Sequence, residues 1–308
     1  MRRWLPPLAV LSVLLAGCGT TEQSDDAGAV EPAGGRGEPV QVVASTDVYG
    51  SIASFVGGDL VQVTSFISDS GADPLEYEST PADAVAVRQA QVVIYNGSGY
   101  DQFMPQLIEG AGGIASIVNV SELSDLSSAA EAAGEESNEH FWYDLETVQD
   151  LAVTLAAELG EAVPDEVETF EANAAEFNAQ LDGLRDQLAQ ISAENGGTRI
   201  AVTEPLANNL LQDAGLENLA PAEFQQAIEE GTDPSAAVLQ QMLTLFDDDP
   251  VAALVLNTQT QSAVTDQVRQ AAEAAGVPVV QMSETLTAPE YVAWMSGQID
   301  ALTAALDA

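Results

Sequence analysis

Between Asp165 and Asn195 the apolar positions are Val167, Phe170, Ala174, Phe177, Leu181, Leu184, Leu188 and Ile191, spaced alternately by three and four residues. Only a helix gathers such a spacing into one stripe. Asp165 followed by Glu168 has the form of a capping box, and Asn195-Gly196-Gly197 has the form of a C-terminal stop. At ~1.5 Å per residue the helix is predicted to run for more than ~40 Å. The stripe suits either a coiled-coil seam or a strut packed on its own chain. The strut is favoured: a seam needs charged flanking partners, and Arg185 is the only basic residue in the segment. The chain is therefore expected to be a monomer.

On either side of this helix the pattern changes to short β-branched runs alternating with helical spacing. Before it, strands are predicted at Val40 to Ser45, Val61 to Ile67, Val92 to Asn96 and Ala115 to Val120. Helices are predicted from Thr46-Asp47 to Gly57-Gly58, from Pro81 to Gln89, through Phe103 and Leu107, and from Leu145 to Leu159. Ser121 to Glu139 reads as a long acidic loop. After the long helix the strands are Arg199 to Thr203, Val251 to Asn257 and Pro278 to Met282. The helices there are Glu204-Pro205 to Ala214, Asp233-Pro234 to Phe246, Ser262 to Ala275 and Pro289 to Leu306. Alternation of this kind predicts an α/β protein of two lobes, each a mainly parallel sheet flanked by helices, joined by the long helix. Ligands of such sheets sit outside the carboxyl ends of the strands. That rule picks out Ser45 to Asp47, Asp73 to Glu78, Asn96 to Tyr100, His140 with its neighbours, Glu204, and Asn257 to Ser262.

The N-terminus changes the picture of where the protein works. Arg2 and Arg3 precede an apolar run from Trp4 to Leu15, too short to span a bilayer, and Leu15-Ala16-Gly17-Cys18 follows. This resembles the lipobox of bacterial lipoproteins, which implies cleavage before Cys18 and acylation there, anchoring the protein outside the cytoplasm at the cell membrane. Cys18 is the single cysteine, so disulfides and thiolate metal ligands are excluded from the exported part. Residues 19–39 are small and polar, a tether with a reach of roughly 25 Å. The expected division is a signal peptide at 1–17, a lipidated tether at 18–39, a first lobe at 40–163, the linking helix at 164–196 and a second lobe at 197–308.

Charge narrows the partners. The chain of 308 residues carries 49 acidic residues against seven arginines and no lysine, a formal net charge of -42. Nucleic acid is excluded as a partner, because phosphate binding needs clustered cations. An acidic surface attracts metal cations, although most of it serves as a solvated face.

Among candidate chemical groups His140 is the only histidine. It stands beside Glu139 in a predicted cleft, and Glu204 occupies an equivalent strand end in the second half. Imidazole with carboxylate suits zinc or manganese, manganese accepting more oxygen. Catalysis has little support: there is no Gly-x-Ser-x-Gly elbow, no cysteine nucleophile and no His-Glu-x-x-His helix. Gly97-Ser98-Gly99 lacks the third glycine of a dinucleotide fingerprint, and so many acids make paired carboxylates common by chance.

Several segments together carry a family resemblance: Val43-Ala44-Ser45-Thr46-Asp47-Val48-Tyr49-Gly50-Ser51-Ile52, Asp73-Pro74 with Tyr77-Glu78 and Thr80-Pro81-Ala82-Asp83, Tyr95-Asn96-Gly97, Asn138-Glu139-His140 with Trp142-Tyr143-Asp144, and Thr203-Glu204-Pro205. Over roughly residues 40–306 the chain resembles the TroA-like, metal-binding solute-binding proteins of zinc and manganese ABC importers. The resemblance implies two α/β lobes on a rigid helix, a four-ligand metal site between them, and an ABC permease as partner. It places His140 and Glu204 at the second and third ligand positions. The first, normally histidine, is Leu75; Glu76 is the neighbouring candidate to replace it. The fourth is assigned to Asn257 to Gln261, with Gln259 as candidate, where there is no carboxylate. Two expectations follow: a receptor for zinc or manganese with an atypical ligand set, or a surface lipoprotein that kept the scaffold without tight metal binding.

Overall fold

The computed structural model describes residues 38–68, 74–114, 116–134, 137–247 and 250–308. The signal peptide, Cys18, nearly all of the tether, Asp73 and Ala115 lie outside the described residues.

The first sheet is built from β1 (Val40–Thr46), β2 (Val61–Ile67), β3 (Val92–Tyr95) and β4 (Ser116–Asn119). Its order is β2-β1-β3-β4, parallel throughout, with Val42 beside both Val63 and Val92. Helix α1 (Asp47–Gly57) leaves β1 directly, because the Thr46 hydroxyl accepts from the Tyr49 amide at 3.4 Å and caps the turn. Alternation along β1 serves both faces. Val42 and Ala44 join the main core with Val48, Ile52 and Val56, whereas Val43 joins Val93, Val87 and Met104 on the other face. Val87 belongs to α2 (Pro81–Gln89) and Met104 to α3 (Phe103–Ala111).

Next come α4 (Asp125–Ala133), α5 (Leu145–Ala162) and the long α6 (Val167–Asn195). Phe170, Ala174, Phe177, Leu181, Leu184, Leu188 and Ile191 of α6 are all buried within their own chain, against α5, α1, α7 and α11. Burial of each large side chain contributes about 1.5 to 3 kcal/mol, so the stripe fixes this helix on both lobes. The helix is a strut.

The second sheet repeats the first. Strands β5 (Arg199–Val202), β6 (Glu217–Asn218), β7 (Leu254–Asn257) and β8 (Val279–Met282) lie in the order β6-β5-β7-β8, again parallel. Around them lie α7 (Asn208–Asp213), α8 (Ala222–Glu229), α9 (Ala236–Thr244), α10 (Ala263–Ala275) and α11 (Tyr291–Leu306). In both sheets the strand order reverses between the first and third strands, so a crevice opens beyond β1 and β3 and another beyond β5 and β7.

Several expectations about elements need correction. The long helix starts at Val167, after a 3-10 turn at Pro164–Glu166 that takes Asp165 out of the cap position. No side chain caps it; Thr169 instead donates to Glu166 at 2.9 Å. The acidic loop holds α4, whose alanines favour helix and whose first turn is capped by Ser124 accepting from Ser127 at 3.3 Å. Residues 204–207 are turns rather than helix, and α9 is capped by Ser235 instead of Asp233. Strand β7 is shorter than its apolar run, since pairing with β5 and β8 begins at Leu254. The short β6 and α8 lie in a segment to which the pattern assigned nothing.

Candidate metal centre

His140 sits on the connection between α4 and α5, just before a 3-10 turn at Phe141–Tyr143, and not at the start of α5. Two asparagines hold this connection. Asn96, at the end of β3, donates to the Glu139 carbonyl at 2.9 Å, and its own Oδ1 accepts from Tyr49. Asn138 accepts from the His140 amide at 3.1 Å and meets His140 Nδ1 at 2.8 Å. The Asn96 loop is stitched by Asp101, whose carboxylate accepts from the amides of Asn96 at 2.6 Å and Gly97 at 2.9 Å. Gly97 is required there: its φ is +78°, and a Cβ would meet Asn119 Oδ1 at 2.1 Å.

The imidazole is 2% exposed and lies edge-on to Trp142 at 5.2 Å. Burial lowers its pKa to about 3, so the ring is neutral and able to offer a lone pair. With Nδ1 engaged by Asn138, Nε2 has no hydrogen bond among the described residues.

Glu204 follows β5 and is 3% exposed. Its carboxylate accepts from Asn257 and, at 2.7 Å, from the Thr260 hydroxyl. Burial, followed by repulsion from Glu284, raises its pKa to about 8, although the Thr260 and Asn257 hydrogen bonds oppose the rise and Glu229 adds to it. Glu139 is likewise raised to about 8, by burial and then by Glu229, Glu284 and Asp101. Carboxylates gathered in this way favour a proton or a cation.

Glu284 is the residue that the sequence reading missed. It follows β8, is 2% exposed, and accepts from Asn257 at 2.7 Å and from Tyr100 at 2.8 Å. The strand-end rule applied to β8 as well as β7 would have found it. Gln259 has a different place: its Oε1 accepts from the Glu284 amide at 2.6 Å and the Thr285 amide at 3.3 Å, and so holds the Glu284 loop. Glu76 lies exposed in a 3-10 turn, Pro74–Glu76, on the rim. Leu75 is 37% exposed and lines the groove.

That groove, of about 910 Å³, runs between the strand ends of the two sheets, with Leu75 and Glu139 on one side and Pro205 and Glu229 on the other. Asn138 Nδ2, donating to the Pro205 carbonyl at 2.9 Å, joins two of its lining residues, and Tyr100, which lines an adjoining cavity, donates to Glu284. Glu229, at the end of α8, brings Oε1 to 3.9 Å from His140 Nδ1. Among the described residues no three His, Cys, Asp or Glu side chains converge closely enough to hold a metal ion as they stand.

A family model described as zinc-uptake complex component A, periplasmic, matches residues 42–305. The chain belongs to this family. Curated relatives include the manganese-binding lipoprotein MntA of Halalkalibacterium halodurans, 30% identical over 191 residues that make up 61% of this chain and 60% of that protein. The match thus spans less than two thirds of that relative's length. The high-affinity zinc uptake system protein ZnuA of Bacillus subtilis is 24% identical over 272 residues, 84% of this chain and 82% of that protein. Among solved structures the periplasmic zinc-binding protein TroA of Treponema pallidum superposes with a TM-score of 0.73 at 20% identity, covering 88% of this chain and 99% of that one. The fold of two parallel sheets on a long helix is therefore shared. Among the described residues no helix is long and apolar enough to cross a membrane.

Proposed function

We propose that this protein is an extracytoplasmic receptor, lipid-anchored through Cys18, that captures zinc or manganese in the groove between its lobes and delivers it to the permease of an ABC importer. Residues 18–39 act as the tether, and the lobes are those on either side of the linking helix, 40–163 and 197–308. The observation that supports the reading is the linkage of a neutral, buried imidazole to buried carboxylates through Tyr100, whose ring stands 6.3 Å from His140 and whose hydroxyl donates to Glu284, which Asn257 joins to Glu204. His140 supplies the nitrogen, Glu204 and Glu284 supply oxygen, and Gln259 positions Glu284. Chelation draws the carboxylates onto a cation and displaces their protons, which offsets the repulsion that raises Glu139 and Glu204. The first position, Leu75, supplies no donor, which is why the ligand set is atypical.

A receptor of this kind is stabilised by its cargo through mass action. Metal analysis of protein purified without chelators should find zinc or manganese, and adding either ion to stripped protein should raise its melting temperature. His140→Ala and Glu204→Ala should abolish the rise. No bound metal and no shift with either ion would leave the second reading, a surface lipoprotein that retains the scaffold alone. Leu75 and the lack of a converged donor group among the described residues favour that alternative.

A further inference from the structure

Resting on that reading, we propose that Asn138 is a positioning residue that decides which nitrogen His140 presents to a cation: it holds the ring hydrogen on Nδ1 and leaves the lone pair on Nε2. A neutral imidazole carries one hydrogen on one of two nitrogens, and only the bare nitrogen can bind a cation. His140 is the only histidine, and burial, which lowers its pKa to about 3, keeps the ring neutral at pH 7. The tautomer therefore sets what chemistry this ring can do.

Two backbone groups with fixed roles orient the Asn138 carboxamide. The Pro205 carbonyl can only accept, so the Asn138 atom 2.9 Å from it is the amide nitrogen Nδ2. The His140 backbone amide can only donate, so the Asn138 atom 3.1 Å from it is Oδ1. That same Oδ1, which carries no hydrogen, stands 2.8 Å from His140 Nδ1. Two lone pairs facing each other at this distance repel, whereas a hydrogen on Nδ1 makes a bond of ordinary length. Glu229 Oε1, at 3.9 Å from Nδ1, lies beyond hydrogen-bond reach. Both anchors of the carboxamide are themselves held. The Pro205 carbonyl also accepts from the Asn208 amide at 3.1 Å, at the start of α7, and Asn96 pins the Glu139 carbonyl between Asn138 and His140 at 2.9 Å. Trp142 and Tyr100 lie edge-on to the imidazole, at 5.2 and 6.3 Å, and limit rotation of the ring. Because Pro205 follows Glu204, one carboxamide ties the loop of the second lobe's proposed ligand to the tautomer of the first lobe's.

The test labels the ring nitrogens of the single histidine isotopically and reads both by long-range proton–nitrogen NMR at pH 7, with zinc chloride titrated by calorimetry alongside. The parent should show a protonated Nδ1 and a bare Nε2. In Asn138→Ala the hydrogen should move to Nε2, the tautomer that a histidine side chain favours in water, and zinc affinity should fall at least about tenfold. Asn138→Asp keeps an acceptor beside Nδ1 and should keep the parent's tautomer. A parent with its hydrogen on Nε2 would overturn the proposal before any variant is made, and so would an Asn138→Ala spectrum unchanged from the parent's. A moved hydrogen with unchanged zinc affinity would overturn it as well, because the lone pair would then not be what the cation meets. A parent that binds no zinc yet gives the expected spectra would instead overturn the receptor reading, while bearing out the hold of Asn138 on the ring.

Discussion

The two lobes share one sheet topology, β2-β1-β3-β4 against β6-β5-β7-β8, yet they furnish the groove very differently. The first lobe contributes a neutral imidazole in an aromatic setting, with Tyr100 4.8 Å from Trp142, an apolar Leu75 and one partly buried carboxylate, Glu139. The second contributes Glu204, Glu229 and Glu284, with Asn257 bonded to both Glu204 and Glu284. A repeated fold therefore fixes where donors can stand, at strand ends beyond the switch points, but not which chemistry stands there. The lobes also meet around the loop after β8: the Leu286 amide donates to Asp47 at 3.2 Å, the Tyr291 amide to Ser51 at 3.0 Å, and Tyr143 to the Ser283 carbonyl at 2.8 Å. The loop that carries Glu284 is thus tied to the first lobe.

The largest expected effect comes from making the lobes more alike. Leu75→His places a second imidazole in the first lobe, and zinc affinity measured by calorimetry should rise by at least about tenfold, or about 1.4 kcal/mol. An unchanged affinity would mean that the first lobe's wall does not reach the cation. A smaller effect tests the contact between lobes. Burial raises the pKa of Asp47 from its ordinary 3.8 to about 6, against the Leu286 and Val48 amide hydrogen bonds that lower it. A carboxyl that holds its proton more tightly when folded contributes stability fully present below pH 3.8 and lost as pH rises through 6. Asp47→Asn keeps an acceptor for the Leu286 amide and removes that loss. Denaturant unfolding should show the variant more stable at pH 7 by about 1 kcal/mol, allowing for partial exposure, with the gain vanishing near pH 4. If the variant is less stable at pH 7, the ionised carboxylate is holding the lobes together.

The smallest effect concerns the strut. Gly183 lies exposed within α6, has open space where a Cβ would stand, and leaves the helix continuous. Gly183→Ala should therefore raise stability by about 0.5 to 1 kcal/mol without weakening cation binding. A loss of affinity with a gain in stability would show instead that bending at Gly183 is part of how the lobes adjust.

The sequence by itself determined the framework. Three-and-four spacing from Phe170 to Ile191 and β-branched runs such as Val40 to Ala44 specify helix and strand through local geometry, and their alternation specifies parallel sheets. His140 and Glu204 stand out in the sequence as candidates because each falls at an element end, with neighbours that fix the local turn. Tertiary structure alone decided which other side chains lie near them. The strand-end rule extended to β8 reaches Glu284, but that Gln259 holds the Glu284 loop through the Glu284 and Thr285 amides is a relation between the ends of β7 and β8 that no local pattern encodes. Glu229 comes from α8, whose short length and two well-buried anchors, Phe224 and Ile228, leave little periodicity to detect. Local spacing dictates elements because it acts along one chain segment. The groove's chemistry depends on which carboxylates meet across long sequence separations, and only packing of both lobes on α6 brings those together.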